Sequence, residues 1–169
     1  MMRATTQRCR QGARGARRGL SALLIAGALC VLGACGSGPK RVSANWREVM
    51  LIAAADANRN SPVAVDIVLI SDQKALDQIM TLSAAQWFST RGDLLATFAD
   101  GVRCKGWEIV PGQTLTLGER TPFAGKRLLA ALVFARYASA GAHRVRIDGY
   151  AGRLVLTFQA EDFTARVLK

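Results

Sequence analysis

The chain has 169 residues, 50% hydrophobic and 21% charged, with 23 Lys and Arg against 12 Asp and Glu for a formal net charge of +11. That composition excludes a disordered, collagenous or coiled-coil chain. Six of the cations (Arg3, Arg8, Arg10, Arg14, Arg17 and Arg18) lie within residues 1–34, which hold no acid, and the remainder carries an ordinary 17 against 12, which argues against a nucleic-acid-binding domain.

Residues 1–34 read as a signal peptide: a basic start, a small-and-apolar run from Leu20 to Leu32, then small residues. That run is too short to span a bilayer. Leu32-Gly33-Ala34-Cys35 resembles a bacterial lipobox, with Cys35 as the residue acylated before cleavage. Cys30 fits less well because Leu29 precedes it, and an ordinary secretory signal with a chance cysteine is the blander alternative. One acyl chain anchors only marginally, whereas several anchor firmly. Gly36 follows the cysteine in place of the Asp that commonly retains lipoproteins at the inner membrane, so the periplasmic face of the outer membrane is expected. Residues 35–45 are expected to form the lipidated cysteine and its tether, and 46–169 a single domain.

Within that domain, Arg47–Ala55 and Val63–Ile70 read as strands, the second alternating Val63, Val65, Ile67 and Leu69 against Ala64 and Asp66. The turn residues Asp56 to Pro62 between them suggest a polar hairpin tip, since Asn tolerates the left-handed conformation. Asp72 and Ser83 look like helix caps, and Ser83 and Gln86 have capping-box spacing. A helical insert is therefore expected at about 72–99, carrying Trp87 and Phe88. Strands resume at Val102–Val110, Thr114–Leu117, Leu128–Tyr137, His143–Ile147 and Arg153–Gln159. Leu128–Tyr137, apolar on both faces, suggests a central strand under the insert. The expected fold is a mainly β, antiparallel sandwich of the transthyretin or immunoglobulin kind.

No catalytic constellation is legible, and no catalytic residue, metal or cofactor is expected. His143 is the only histidine and reads as a solvated loop residue; Glu161-Asp162 reads as a solvated surface pair. Asp56-x-Asn58-x-Asn60 copies the start of a calcium loop, but Ser61 and Ile67 stand where Gly and a closing Glu are needed. After processing, Cys104 is the remaining unmodified thiol, expected to be a buried core residue. Trp46, Trp87 and Trp107 read as core or interface anchors.

From about Arg47 to Asp148 the chain resembles the TssJ family, outer-membrane lipoproteins of the type VI secretion membrane complex. Asn58-Arg59-Asn60-Ser61-Pro62 followed by Val63-Ala64-Val65 stands where that family has a polar loop and a valine-rich second strand. Ala85-Gln86-Trp87-Phe88, Pro111-Gly112-Gln113, Phe134, Arg136 and His143-Arg144 follow in the family's order. Two departures are the Asn58 and Asn60 that replace a Gly and a Pro of the loop, and the His143-Arg144 that replaces a Trp-Arg pair. The resemblance implies a transthyretin-like sandwich with a structural role, binding the periplasmic C-terminal domain of the inner-membrane protein TssM. It also implies partner contacts at Asp56, Asn58, Arg59 and Asn60. No nucleic acid or small-molecule substrate is expected. A periplasmic carrier of small molecules or lipids is the alternative function for such a sandwich.

Overall fold

A computed structural model describes residues 40–118 and 122–169; Cys35 and the leader lie outside them. Strand β1 (Val42–Ala53) is followed by a left-handed turn (Ala57–Asn60), β2 (Val63–Ile70), the helices α1 (Gln73–Ile79) and α2 (Ala84–Thr97), and β3 (Val102–Ile109). Then come β4 (Thr114–Leu117), β5 (Lys126–Leu128), β6 (Ala130–Arg136), β7 (Arg144–Ile147), β8 (Ala151–Phe158) and β9 (Phe163–Leu168). Val42 to Asn45, expected in the tether, already belong to β1 because Val42 to Ala44 pair with β5.

Two sheets face each other, one ordered β4-β1-β8-β9 with β5 also on β1, the other ordered β3-β2-β6-β7. All pairings are antiparallel except β1 with β8, which run parallel from Asn45 beside Ala151 to Ala53 beside Phe158. Because β1 and β2 sit in different sheets, the segment between them is a crossover, not the expected hairpin tip. The hydrogen-bonding edges of β1 are taken by β4, β5 and β8, and β2 pairs with β3 and β6.

Strand alternation builds two cores. Val63, Val65, Ile67 and Leu69 of β2 and Ala131, Val133 and Ala135 of β6 face the space between the sheets, where they meet Trp46, Leu51, Leu154 and Phe158. On the opposite faces, Val68, Ile70, Leu132 and Phe134 pack under the helices against Leu76, Ile79, Trp87 and Phe88. Full burial of each such side chain contributes about 1.5–3 kcal/mol, so the two-faced apolarity of β6 reflects two layers of contact. The expected Leu128–Tyr137 strand is broken at Leu129: Leu128 pairs with β1, while β6 lies centrally beneath α2. Residues Pro39–Lys169 form one compact unit that holds both cores, and so can fold without the leader.

The helices start where expected. The Asp72 carboxylate accepts from Ala75 N, and Ser83 and Gln86 form a reciprocal capping box.

The registers give the sandwich two distinct ends. The β1–β2 crossover, the turn at 110–113, the β6–β7 loop and the β8–β9 turn gather at one end, as shown by Val63 opposite Ile109, Ile52 opposite Thr114, Ala64 opposite Arg136 and Ala53 beside Phe158. At the other end are the start of β1, the start of β3 and β5, with Val42 opposite Leu128 and Ile70 opposite Val102.

Candidate functional site: the loop end

The crossover at 56–61 carries three consecutive left-handed residues, Asn58 (φ 47°), Arg59 (φ 53°) and Asn60 (φ 61°). Asn is among the few residues that enter this region readily, because its short side chain can bond locally. Asn58 does so from an almost buried position, 5% exposed. Its Nδ2 donates to Pro62 O at 2.9 Å, its Oδ1 accepts from Ala138 N at 2.8 Å, and its own N–H donates to Gln159 O at 3.0 Å. One side chain thus ties the crossover to the β6–β7 loop, and its backbone ties it to the β8–β9 turn.

Arg59 points outward and grips the β8–β9 turn by a two-pronged ion pair, Nε to Glu161 Oε1 at 2.8 Å and Nη2 to Oε2 at 3.0 Å. Both side chains are mostly exposed. The guanidinium hydrogen bond holds the Glu161 carboxyl below its usual range, and Glu161 raises Arg59 in return. Asp56 and Asn60 flank the pair and are exposed.

The remaining contacts lock the two other loops together. Ser139 Oγ donates to Glu161 O at 2.9 Å, and Tyr137 OH donates to Asp162 O at 2.8 Å. Burial pushes the Tyr137 hydroxyl well above the ordinary tyrosine range. His143 is buried, at φ 41°, stacked on Tyr137 at 4.8 Å between ring centres. Its Nε2 donates to Ser139 O at 2.9 Å and its Nδ1 lies 3.1 Å from Asp162 Oδ1. A Cβ on Gly141 would fall 2.7 Å from that Nε2, so the glycine makes room for the ring.

Two sequence expectations are corrected here. His143 is not a solvated loop residue, because its ring fills the space between Tyr137 and the β8–β9 turn. Glu161-Asp162 is not a free surface pair on a strand: both lie in the β8–β9 turn, one holding Arg59 and the other facing His143. The structure brings Asp56, Asn58, Arg59 and Asn60 to one end, but with Asn58 turned inward as the loop's internal support. Tyr137, Ser139, Gly141, Glu161 and Asp162 were missed as members of this cluster. No local pattern links segments 80 to 102 residues apart.

Ser139 Oγ lies 3.5 Å from His143 Nε2, with Asp162 on the other ring nitrogen, but that Nε2 is directed to Ser139 O at 2.9 Å and the hydroxyl donates to Glu161 O at 2.9 Å, so in this structure the serine is not paired with the ring as nucleophile and base. Cys104 is half-buried on β3 opposite Val68, and burial first, then the Asp66 carboxylate, pushes its thiol up to about 12. Asp66 itself is buried under α2, accepting from Trp87 Nε1 at 2.8 Å and from Arg91 Nη1 at 2.7 Å. Trp46 and Trp87 are core residues, and Trp107 is half-buried against Phe123. In the crossover, Asn58 spends its side-chain oxygen on Ala138 N, which removes one of the three donors that the calcium-loop pattern would need.

No family model and no curated protein matches this sequence. Solved structures do. The T6SS lipoprotein TssJ1 from Pseudomonas aeruginosa is 14% identical with a TM-score of 0.52, over 78% of this chain and 98% of that one. A chain of a type VI membrane complex is 16% identical with a TM-score of 0.51, over 72% of this chain and 96% of its own. Lip from Serratia marcescens, a membrane-bound component of the type VI secretion system, is 12% identical at 0.47, over 78% and 99%. The fold is therefore TssJ-like, a β-sandwich with small helical segments, as the sequence resemblance implied.

Proposed function

We propose that this protein is a non-catalytic, lipid-anchored component of a type VI secretion membrane complex. In this reading Cys35 is the acylated residue, the outer membrane's periplasmic face holds the acyl chains, and the loop end binds the periplasmic C-terminal domain of TssM. The observation that carries it is the TssJ-like fold with its crossover stiffened by Asn58 and Arg59 at the end opposite the tether. A polar loop held in one conformation loses little entropy on binding, and binding residues concentrate in such loops on rigid scaffolds.

Within the loop, Asp56, Arg59 and Asn60 present side chains outward, while Asn58 sets their geometry. Arg59 is the contact of greatest weight, because its guanidinium can exchange the Glu161 carboxylate for one on the partner. A carrier function has less support, since the space between the sheets is filled by Trp46, Leu51, Ile67, Leu154 and Phe158, each 2% exposed or less.

The test is titration of residues 36–169 against the periplasmic domain of TssM. Arg59→Ala is expected to weaken binding roughly thirtyfold, the scale of an interface hot spot, while the domain stays folded, its melt lowered only by the loss of one exposed ion pair. Undiminished affinity after replacing residues 57–60 by Gly and Ser would place the interface elsewhere. For the anchor, Cys35→Ser is expected to remove the protein from the membrane fraction; its retention there at mature length would refute lipidation.

A further inference from the structure

The end of the sandwich opposite the loop cluster carries a concentration of unpaired cations. Lys40 and Arg41 lead into β1, Arg127 and Lys126 lie across from Ser43 and Ala44, and Arg103 opens β3 opposite Leu69. All five are exposed, and none makes an ion pair among the described residues. Arg103, Lys126 and Arg127 line one hollow of about 190 Å³, with Asp100 as the single acid on its wall. At the loop end, by contrast, Arg59 is matched by Glu161. Against these five cations the same end holds Asp72, Asp100 and Asp148, so positive charge is in excess there among the described residues.

We infer that this basic end is a membrane-facing surface that takes the headgroups of anionic phospholipids and sets the domain upright on the bilayer. The inference rests on the lipid-anchor reading above for its geometry. Val42 follows Cys35 by seven residues, a reach of at most about 25 Å, so the tether keeps this end nearest the acyl chains. The twelve residues of β1 extend about 40 Å from there. A tether alone leaves the domain free to tumble, whereas five cations against an anionic leaflet hold it end-on, with Asp56, Arg59 and Asn60 facing away from the bilayer. Each Lys or Arg close to such a surface contributes about 1 kcal/mol, or roughly fivefold in partitioning.

The experiment uses residues 36–169 without acyl chains, so that only the protein surface is tested. Co-sedimentation is measured with vesicles of phosphatidylglycerol in phosphatidylethanolamine, and with phosphatidylcholine vesicles as the neutral control. Binding is expected to the anionic vesicles alone and to weaken as salt is raised. Arg103→Gln, Lys126→Gln and Arg127→Gln together are expected to lower partitioning roughly a hundredfold, and Lys40→Gln with Arg41→Gln, which lie outside the strands, roughly twentyfold. Circular dichroism confirms that each variant is folded.

Equal sedimentation with anionic and neutral vesicles overturns the inference, as does wild-type binding by both variants. Competition by inorganic phosphate at matched ionic strength would mean a free-anion site, and equal retention by a DNA oligonucleotide would mean general polyanion binding; either result also overturns it. Because the assay contains no lipidated protein, its failure leaves the Cys35 anchor standing. Loss of the anchor, read from Cys35→Ser, leaves the vesicle result unaltered.

Discussion

Replacing Asn58 by Ala tests whether this residue supports the crossover from within. Three losses follow from the structure. Alanine at φ 47° is less favourable than asparagine by about 1 kcal/mol. The Ala138 N–H loses its acceptor, at a cost of about 1 kcal/mol rather than more, because Ala138 is itself exposed and water can reach it. The Pro62 carbonyl loses a part-buried donor, about 0.5 kcal/mol. Together these predict a destabilisation of about 2.5 kcal/mol, which for a domain of this size lowers the melting temperature by about 10 °C. Two further variants separate the contributions. Asn58→Gly relieves the backbone term and should recover about 1 kcal/mol, while Asn58→Asp keeps the acceptor for Ala138 N but turns a buried carboxylate oxygen onto the Pro62 carbonyl and should be the most harmful of the three. The assay is a thermal melt of residues 36–169 followed by circular dichroism. If Asn58→Ala melts within about 2 °C of wild type, or Asn58→Gly is no better than Asn58→Ala, the support role is wrong and Asn58 returns to the list of direct contacts.

Gly141→Ala should destabilise the domain by about 1–3 kcal/mol, since the new Cβ meets a buried ring bonded to Ser139 O and stacked on Tyr137; a melt identical to wild type would refute the tight packing. Glu161, its carboxyl depressed by Arg59, contributes stability above the ordinary carboxylate range, and that contribution is lost as pH falls through its lowered value. In a carboxyl-detected NMR titration its midpoint should rise toward the ordinary range in Arg59→Ala, and an unmoved midpoint would deny the pairing in solution. Cys104, with its thiol pushed up to about 12 and half-buried, should react with iodoacetamide at neutral pH at least about tenfold slower than a free cysteine. Labelling at the free rate would make it a reactive site.

Local spacing carried much of this fold. The alternation of Val63, Val65, Ile67 and Leu69 determined which face of β2 meets the other sheet, because successive side chains on a strand point to opposite sides. Asp72, Ser83 and Gln86 determined where the helices begin, because capping bonds close within three residues. The unbroken apolar run through Ala130 to Ala135 announced a strand covered on both faces. Pairing partners were another matter. Turn-forming residues between two strands are equally consistent with a hairpin and a crossover, and here the edges of β1 were taken by β4, β5 and β8, the last in parallel across more than a hundred residues. The loop end was decided in the same way: Arg59 meets Glu161 and His143 meets Asp162 only after both sheets have closed. Sequence spacing sets the conformation of each segment, but which distant segments become neighbours depends on which strand edges remain unpaired when the cores are filled, and that is a property of the tertiary structure.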